Sequence, residues 1–389
     1  MYRPRLGRMD RRTFLKRSAQ MAAWWTALQA TGGLVGCAPK PTEAPPVTEV
    51  PTEAPPEPVM TPTEAARRDD VLVAVSWGGS YQEAQRKAFF DPFEEEYGVT
   101  VLDSGDMDFA KLMAMVESGV VEWDVCDDET FGVIRGQDLG ILEPIDYSLF
   151  EDIDDIIEDA IFEYGVVTIF YSDVIAYNTD VYPTGTHPQS WADFWDVERF
   201  PGRRGLYDYV SPALEQALMA DGVPIDELYP IDAERGFASL DRIRDYIVWW
   251  EAGAQPAQLL SDGELDICSA WNGRIWTVAQ EGAPVAIEYN QGILESDSWI
   301  IPKGAPHKEL AQEFVAFASR ADRQAELVQL IPYGPVNKRA FDFISDEMAP
   351  FIPTFPANLE RQAVKDYMWL GRNENIAPLI EAFEAWKLA

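Results

Sequence analysis

Aromatic and acidic side chains stand near the ends of several predicted strands, where ligand-binding groups are expected in a sheet protein. Trp77 and Tyr81 follow the first apolar run of the globular part, and Glu129 belongs to an acidic run after a later one. Trp271 and Asp297 occupy comparable positions further along the chain. A protonated amine that leaves water needs a carboxylate partner, and each aromatic face adds roughly 0.5–2 kcal/mol through its quadrupole. These residue types indicate the binding of a small organic cation.

The histidine and cysteine content argues against catalysis and against a metal site. The chain has two histidines, His187 and His307, each beside a proline, and three cysteines. It contains no serine-hydrolase elbow or phosphate-binding loop, and nothing fixes an acid pair at the roughly 5–10 Å separation of a glycosidase. We therefore expect no enzyme, no cofactor and no metal. Cys126 and Cys268, which each end a predicted strand, are expected to be buried free thiols.

The charge balance excludes nucleic acid as a partner. The 389 residues include 66 acidic and 31 basic ones, which gives a net charge of -35. Such an excess repels phosphate backbones and makes basic small molecules better ligands, although the same acidity also fits solubility alone or a salty habitat. The length is sufficient for two packed domains.

The elements that must position these residues alternate between strands and helices. The compact apolar run Val71–Val75 ends in a glycine turn, after which a helical pattern begins at Tyr81. Further strands are predicted at 99–102, 123–126, 267–270 and 285–287, with helices at 109–116 and from residue 311 onward. Such short apolar strands suit a parallel sheet that helices cover on both faces, so we predict an α/β fold. The segments that follow its strands are 76–80, 127–130, 271–274 and 295–299.

The first 37 residues differ from the rest and indicate an export signal. They carry seven basic residues and one acid, and Arg11 and Arg12 precede an apolar stretch that ends in Leu-Val-Gly-Cys. The twin arginine resembles a twin-arginine signal, and the end resembles a bacterial lipobox in which Cys37 is acylated. Residues 38–70, rich in Pro, Thr and Glu, are predicted to form a disordered tether. We expect an exported protein, lipid-anchored on the outer face of the cytoplasmic membrane or in the periplasm, with an uncleaved membrane anchor as the alternative.

Several motifs of the globular part occur in an order that is typical of one known family. They are Ser-Trp-Gly-Gly-Ser-Tyr at 76–81, Pro-Gln-Ser-Trp-Ala-Asp-Phe-Trp at 188–195, Arg-Phe-Pro-Gly-Arg-Arg at 199–204, Trp-Asn-Gly-Arg at 271–274 and Asp-Ser-Trp-Ile-Ile-Pro at 297–302. Together they resemble the spermidine/putrescine-binding branch of the family-1 extracellular solute-binding proteins of ABC transporters. The resemblance implies a two-lobed, type II periplasmic-binding-protein fold with parallel-rich sheets and hinge strands. It places one lobe at 71–173 and 298–340 and the other at 174–297 and 341–389.

The resemblance also nominates residues of a ligand site. Trp77 and Tyr81 match aromatic contacts that follow the first strand, and Trp271 matches the aromatic that stacks on the polyamine. Asp297 matches an acid that pairs with a ligand amine. Tyr333 matches a further residue of the pocket wall.

The sequence departs from this family where a second amine would be held. Polyamine binders carry an Asp and Glu pair there, whereas this chain has Asp208 and, at the other position, Pro212. In the acidic run at 127–130, where polyamine binders have a hydroxyl and an aromatic, Glu129 is expected to supply charge from the opposite lobe. We therefore include Asp208 and Glu129 among the predicted ligand residues.

The function that follows from the resemblance is capture without chemistry. We expect a monomeric substrate-binding component of an ABC importer that closes two lobes on a polyamine such as spermidine or putrescine. It would deliver this ligand to a permease with ATPase subunits. The alternative keeps the fold and role but takes an opine, an amino acid, a thiamine-like cation or a small anion. A surface adhesion protein would not need two lobes with aromatic residues at strand ends.

Overall fold

The computed structural model describes residues 71–151 and 153–389, so the predicted signal, the tether and Cys37 lie outside the described residues. The strands in this part are β1 Val71–Val75, β2 Thr100–Ser104, β3 Val125–Glu129, β4 Ile161–Phe162, β5 Gly165–Asn178, β6 Arg204–Tyr207, β7 Ile247–Trp250, β8 Ile267–Trp271, β9 Val285–Ile300 and β10 Ala363–Val364. The helices are α1 Gly79–Gln85, α2 Asp91–Tyr97, α3 Phe109–Ser118, α4 Thr130–Leu139, α5 Trp191–Trp195, α6 Val210–Ala220, α7 Ala233–Asp241, α8 Gln255–Ser261, α9 Asn272–Gln280, α10 Lys308–Ala318, α11 Ala321–Leu330, α12 Pro356–Leu359, α13 Tyr367–Leu370 and α14 Asn373–Leu388. Among the described residues, no helix combines the length and apolar character that a membrane crossing requires.

The strands form one mixed sheet whose outer strands are parallel and whose middle is antiparallel. Its order is β2-β1-β3-β9-β5-β8-β6-β7, with β10 beside β9 and β4 beside β5. β1 pairs in parallel with β2 and β3, and β6 pairs in parallel with β7 and β8. The two long strands β5 and β9 pair antiparallel with each other and with β8 and β3. The predicted α/β class with parallel-rich sheets is confirmed.

The long strands β5 and β9 connect the two halves of the molecule. They are paired from Val166 opposite Trp299 to Asn178 opposite Val285, with register shifts at 167–169 and 173–175. Such irregularities bend and twist a strand pair locally. The lobe boundaries predicted at 173/174 and 297/298 fall inside these strands, and the division into lobes that move separately stays a prediction.

Separate hydrophobic cores lie on the two sides of the long strands. We call first lobe the part around β1–β3, α1–α4, α10 and α11, whose core includes Leu72, Phe89, Trp299 and Phe314. We call second lobe the part around β6–β8, α5–α9, α13 and α14, with two adjoining cores. The first of these includes Trp191, Leu214 and Phe383, and the second includes Trp250, Leu260 and Cys268. Burial of apolar surface at about 25 cal/mol per Å² stabilises each lobe around its own cores.

Two strands extend further into polar sequence than we predicted. The strand expected to end at Cys126 continues to Glu129, and the strand expected at 285–287 continues to Ile300. The acidic segment of β3 pairs antiparallel with the end of β9, with Cys126 opposite Ile300 and Glu129 opposite Asp297. This pairing satisfies the backbone groups of acidic residues that sequence alone places in loops. Cys126 and Cys268 are buried free thiols, as expected.

Candidate ligand-binding site

A pocket lies between the two lobes beside the long strands. Its envelope, including space open to solvent, is about 350 Å³. The first lobe contributes residues from α1, β3 and the turn after β1, and the second lobe contributes residues from β6, β8 and the start of α9. The lining residues are Trp77, Tyr81, Glu129, Ile169, Tyr171, Tyr207, Trp271, Arg274, Asp297 and Tyr333.

Aromatic rings form most of the pocket wall. Trp271, the last residue of β8, makes edge contacts with Tyr207 at a centroid distance of 5.5 Å and with Tyr171 at 6.1 Å. Tyr81 and Tyr333 are also in edge contact, with centroids 5.4 Å apart. Edge-to-face contacts of this kind hold rings in fixed orientations. The wall therefore presents preoriented apolar faces to a ligand.

Close backbone approach makes this arrangement of rings possible. A Cβ atom on Gly273 would lie 2.6 Å from the ring of Tyr333, and one on Gly253 would lie 2.3 Å from the ring of Trp271. Real Cβ atoms do not tolerate such distances, so a side chain at either position would displace a pocket ring. The glycine of the Trp-Asn-Gly-Arg motif thus has a packing role at the site.

Asp297 is the pocket carboxylate with the fewest protein partners. Its side chain is 5% exposed, and its Oδ1 makes no hydrogen bond within the described part of the chain. Burial raises the pKa of Asp297 well above its usual value, and the negative charges of Asp127 and Glu129 raise it further. A ligand cation that approached Oδ1 would relieve both effects by pairing with the carboxylate.

Tyr81 is held in place by a second buried acid. The Tyr81 hydroxyl donates a hydrogen bond of 2.6 Å to Asp127, which also accepts one from Gln85 at 2.8 Å. Burial raises the pKa of Asp127 to about 6, although these hydrogen bonds favour its ionised form. The Tyr81 hydroxyl is thereby committed to Asp127, which leaves the ring as its contribution to the pocket.

Glu129 is paired with a buried lysine that sequence reasoning did not identify. Lys365 follows β10, is fully buried, and lies 3.2 Å from Glu129 and 2.5 Å from Glu295. The Tyr171 hydroxyl donates to the same two carboxylates at 3.4 and 3.2 Å. Burial disfavours the ammonium, but Glu129 and Glu295 hold the pKa of Lys365 well above its usual value. Glu129 therefore lines the pocket, but its negative charge is already paired with the ammonium of Lys365.

Arg274 brings positive charge to the pocket and connects the lobes across it. From the first turn of α9, its Nη1 donates to the carbonyl of Gly78 at 2.9 Å and its Nη2 to that of Trp77 at 3.2 Å. Its Nε is buried and has no hydrogen-bond partner within the described residues. The guanidinium also lies 5.5 Å from the centre of the Trp271 ring. Arg274 can thus hold the lobes together and offer a donor to a ligand anion.

The structure brings six of the seven predicted ligand residues into one pocket. They are Trp77, Tyr81, Glu129, Trp271, Asp297 and Tyr333.

Asp208 is the predicted ligand residue that does not line the pocket. Its carboxylate lies 2.5 Å from the ammonium of Lys387, in the C-terminal helix. Lys387 thus balances the charge of Asp208, which does not replace the missing family acid in the pocket lining. Asp208 instead forms an ion pair with a residue of α14.

Sequence reasoning missed Ile169, Tyr171, Tyr207 and Arg274. Ile169 and Tyr171 lie within the long strand β5, where nothing distinguishes pocket residues from core residues. Tyr207 precedes Asp208, in the stretch that departs from the resembled family. Arg274 was part of a recognised motif, and its position three residues after Trp271 places it one helical turn further along α9. That spacing was the available signal for a pocket role.

The fold and this pocket agree with the family to which the sequence matches. Residues 88–354 match the family described as bacterial extracellular solute-binding protein, and the chain belongs to that family. More particularly, it is a substrate-binding protein of an ABC transporter. The predicted type of protein is therefore confirmed, and the family is an extracellular one.

Similar proteins are associated with more than one kind of ligand. The gamma-aminobutyric acid-binding protein of Pseudomonas aeruginosa is 39% identical over 331 residues, which are 83% of this chain and 92% of that protein. The solved structure of AgtB from A. tumefaciens R10 in complex with agropinic acid is 35% identical. It has a TM-score of 0.77 and covers 82% of this chain and 99% of its own.

The polyamine ligand that we expected has only distant support. The spermidine/putrescine-binding periplasmic protein of Salmonella typhimurium is 25% identical over 297 residues, which are 73% of this chain and 82% of that protein. The relative named for γ-aminobutyric acid (GABA) is 39% identical over a longer span. The alternative, an amino acid or opine ligand on the same scaffold, is better supported than a polyamine.

Proposed function

We propose that this protein captures a short zwitterionic amino acid of the GABA type between its lobes and delivers it to an ABC permease. The observation that carries the proposal is the presence of both Arg274 and Asp297 in the lining of one pocket. Each has a buried polar atom, Nε and Oδ1, without a hydrogen-bond partner in the described part of the chain. A carboxylate and an ammonium on one small molecule satisfy both.

The charges of the pocket favour a zwitterion over a diamine. Three charged side chains line it: Arg274, Asp297 and Glu129. Glu129 is already paired with Lys365, so one cation and one carboxylate remain for a ligand. A diamine would need a second free carboxylate and would bring its positive charge near Arg274, which costs several kcal/mol when like charges are desolvated together.

The apolar part of such a ligand suits the aromatic wall. The methylenes of a short amino acid can lie against Trp271, Tyr207 and Tyr171, and the ammonium gains roughly 0.5–2 kcal/mol from a ring face in reach. A micromolar dissociation constant corresponds to about -8 kcal/mol. One charge-assisted contact at each end and several ring contacts account for this energy after ordering costs.

Binding is proposed to occur by lobe closure and without chemistry. Arg274 of the second lobe hydrogen-bonds backbone carbonyls of the first, so contacts across the pocket exist only when the lobes are together. A ligand that pairs with both Arg274 and Asp297 adds further contacts to this closed form and shifts the population toward it. We propose that the closed monomer docks on the permease, tethered to the membrane by the lipid on Cys37.

A larger ligand related to agropinic acid is the second candidate. The similarity to the agropinic acid complex supports it, because that protein shares the fold along nearly its whole length. The modest pocket volume and the relative named for GABA support the smaller ligand.

Thermal unfolding in the presence of candidate ligands tests the proposal. The purified protein, freed of co-purified ligand, is heated alone and with GABA, agropinic acid, putrescine or spermidine in large excess over a micromolar dissociation constant. Ligand at about 100 times its dissociation constant stabilises the folded state by about 2.7 kcal/mol. We expect GABA to raise the melting temperature by several degrees. A rise with spermidine or putrescine and none with GABA would contradict the proposal.

A further inference from the structure

Lys365 is a fully buried charged residue directly behind the pocket. It follows β10, the short strand that pairs with β9 at Ile293 and Leu294, and its side chain is 0% exposed. Its ammonium contacts Glu295 at 2.5 Å and Glu129 at 3.2 Å. Burying an ammonium costs several kcal/mol unless it is closely paired, so this placement requires both carboxylates.

One of the two acids around Lys365 belongs to the wall that a ligand cation meets. Glu129 lines the pocket and stands directly opposite Asp297 in the β3–β9 pairing. Side chains that oppose each other in an antiparallel pair have Cβ atoms about 4.5–5.5 Å apart. Glu129 and Asp297 are thus two neighbouring acids on one face of the sheet, and Lys365 neutralises one of them.

We propose that Lys365 is a specificity-determining residue whose ammonium, behind the pocket wall, already occupies the place beside Glu129 that the second ammonium of a diamine would take. With this position filled by the protein, the site accepts ligands that bring a single ammonium to Asp297 and discriminates against diamines. Lys365 acts as a built-in amine held by Glu129 and Glu295. This inference rests on the proposed function, because it names the device that separates amino acid from diamine ligands.

The charged surroundings of Lys365 support this role. The Tyr171 hydroxyl lies 3.4 Å from Glu129 and 3.2 Å from Glu295, so its one proton can be donated to either of the acids that contact the lysine. Burial raises the pKa of Glu295 to about 8, an effect that Lys365 partly offsets. If the lysine were removed, Glu129 would lose its cationic partner beside the second pocket acid, Asp297. A ligand amine would then be the nearest replacement.

The test compares ligand preference in Lys365→Ala with that of the unaltered protein. Calorimetric titrations with putrescine and with GABA give the ratio of the two affinities. We expect the ratio to move toward putrescine by about tenfold or more in Lys365→Ala, equivalent to at least 1.4 kcal/mol. The matched control Lys387→Ala removes the partner of Asp208, away from the pocket, and is expected to leave the ratio unchanged. A smaller change of the ratio in folded Lys365→Ala would overturn the inference.

A second variant keeps the inference testable if Lys365→Ala does not fold. The double variant with Lys365→Met and Glu295→Gln removes the ammonium together with the acid nearest to it and leaves Glu129 without a cation, so it is expected to show the same move toward putrescine. An unchanged ratio in the folded double variant would also overturn the inference. If the unaltered protein does not bind GABA, the proposed function fails. A gain of putrescine binding in either variant would still identify Lys365 as the filled cation position.

Discussion

At the scale of single residues, the account depends on which acid faces the ligand. Asp297 and Asp208 were both predicted to bind an amine, and the structure separates them. Asp297 lies in the pocket, and its Oδ1 has no hydrogen-bond partner among residues 71–151 and 153–389, whereas Asp208 is paired with Lys387. The two residues therefore form a matched pair for substitution.

We expect Asp297→Asn to weaken GABA binding by about ten- to a hundredfold, because a charge-assisted hydrogen bond contributes about 1.5–3 kcal/mol. Asp208→Asn is expected to leave GABA affinity unchanged. Calorimetric titration measures both. The melting temperature of Asp297→Asn should not fall, since burial already disfavours the ionised carboxylate. Equal losses of affinity in the two variants would contradict the site assignment.

At the scale of elements, the turn after β1 and the first turn of α9 meet across the pocket. Arg274 donates from α9 to the carbonyls of Trp77 and Gly78 in that turn. A Cβ on Gly79 would lie 2.5 Å from Nη1 of Arg274, so the turn needs glycine to receive the guanidinium. Together, the two elements therefore form a contact between the lobes and one end of the candidate ligand site.

We expect Arg274→Gln to weaken binding of GABA far more than binding of n-butylamine, which has the ammonium and the carbon chain but no carboxylate. The expected loss of affinity for GABA is about ten- to a hundredfold. The affinity for n-butylamine should fall less, because this ligand loses only the contribution of the contacts that Arg274 makes between the lobes. Titration of both ligands into both proteins gives the comparison. Equal losses for the two ligands would show that Arg274 does not contact the ligand carboxylate.

The sequence alone predicted those strands and helices that are marked by a pattern of neighbouring residues. Val71–Val75 is a continuous apolar run and forms β1 within its predicted bounds, and the helix predicted at 109–116 is α3, Phe109–Ser118. The acidic end of β3 and the full length of β9 were missed because their pairing partners lie more than 100 residues away in the chain. Buried acids such as Asp127 carry no apolar pattern. Their burial within a strand can be recognised only when the pairing partner of that strand is known.

Contacts between residues that are distant in the chain also limited what the sequence could predict about the pocket. The resemblance identified Trp77, Tyr81, Trp271, Asp297 and Tyr333, and the acidic run after a predicted strand pointed to Glu129. Lys365 could not be found in this way, because it reaches Glu129 only through the pairing of β10 with β9. In the proposed function the ligand charge depends on that lysine, which the motifs behind the polyamine expectation do not include.

At the scale of the whole molecule, the buried acids make stability depend on pH. Burial raises the pKa of Asp127 to about 6 and that of Glu295 to about 8. The folded protein holds these protons more tightly than the unfolded chain. Their contribution to stability is therefore present below the usual carboxyl pKa and is lost as the pH rises through about 6 and about 8.

We expect the melting temperature of the ligand-free protein to fall as the pH rises from about 5 to about 9, by an amount that reflects about 1.4 kcal/mol per unit of pKa difference. GABA affinity is expected to change in the opposite direction, because Asp297 pairs with an ammonium only when ionised and burial raises its pKa. Scanning calorimetry and titration across this range measure both. Affinity that strengthens as the pH falls would contradict the assignment of Asp297.

The most direct test of the central claim compares three four-carbon ligands that differ in their end charges. GABA carries one charge of each sign, putrescine two positive charges and succinate two negative charges. Calorimetric titration of the ligand-free protein with each should give saturable binding of GABA near or below a micromolar dissociation constant, about -8 kcal/mol, and binding at least about tenfold weaker for the other two. If putrescine binds as tightly as GABA or more tightly, the pocket is a polyamine site and the proposed role of Arg274 is wrong.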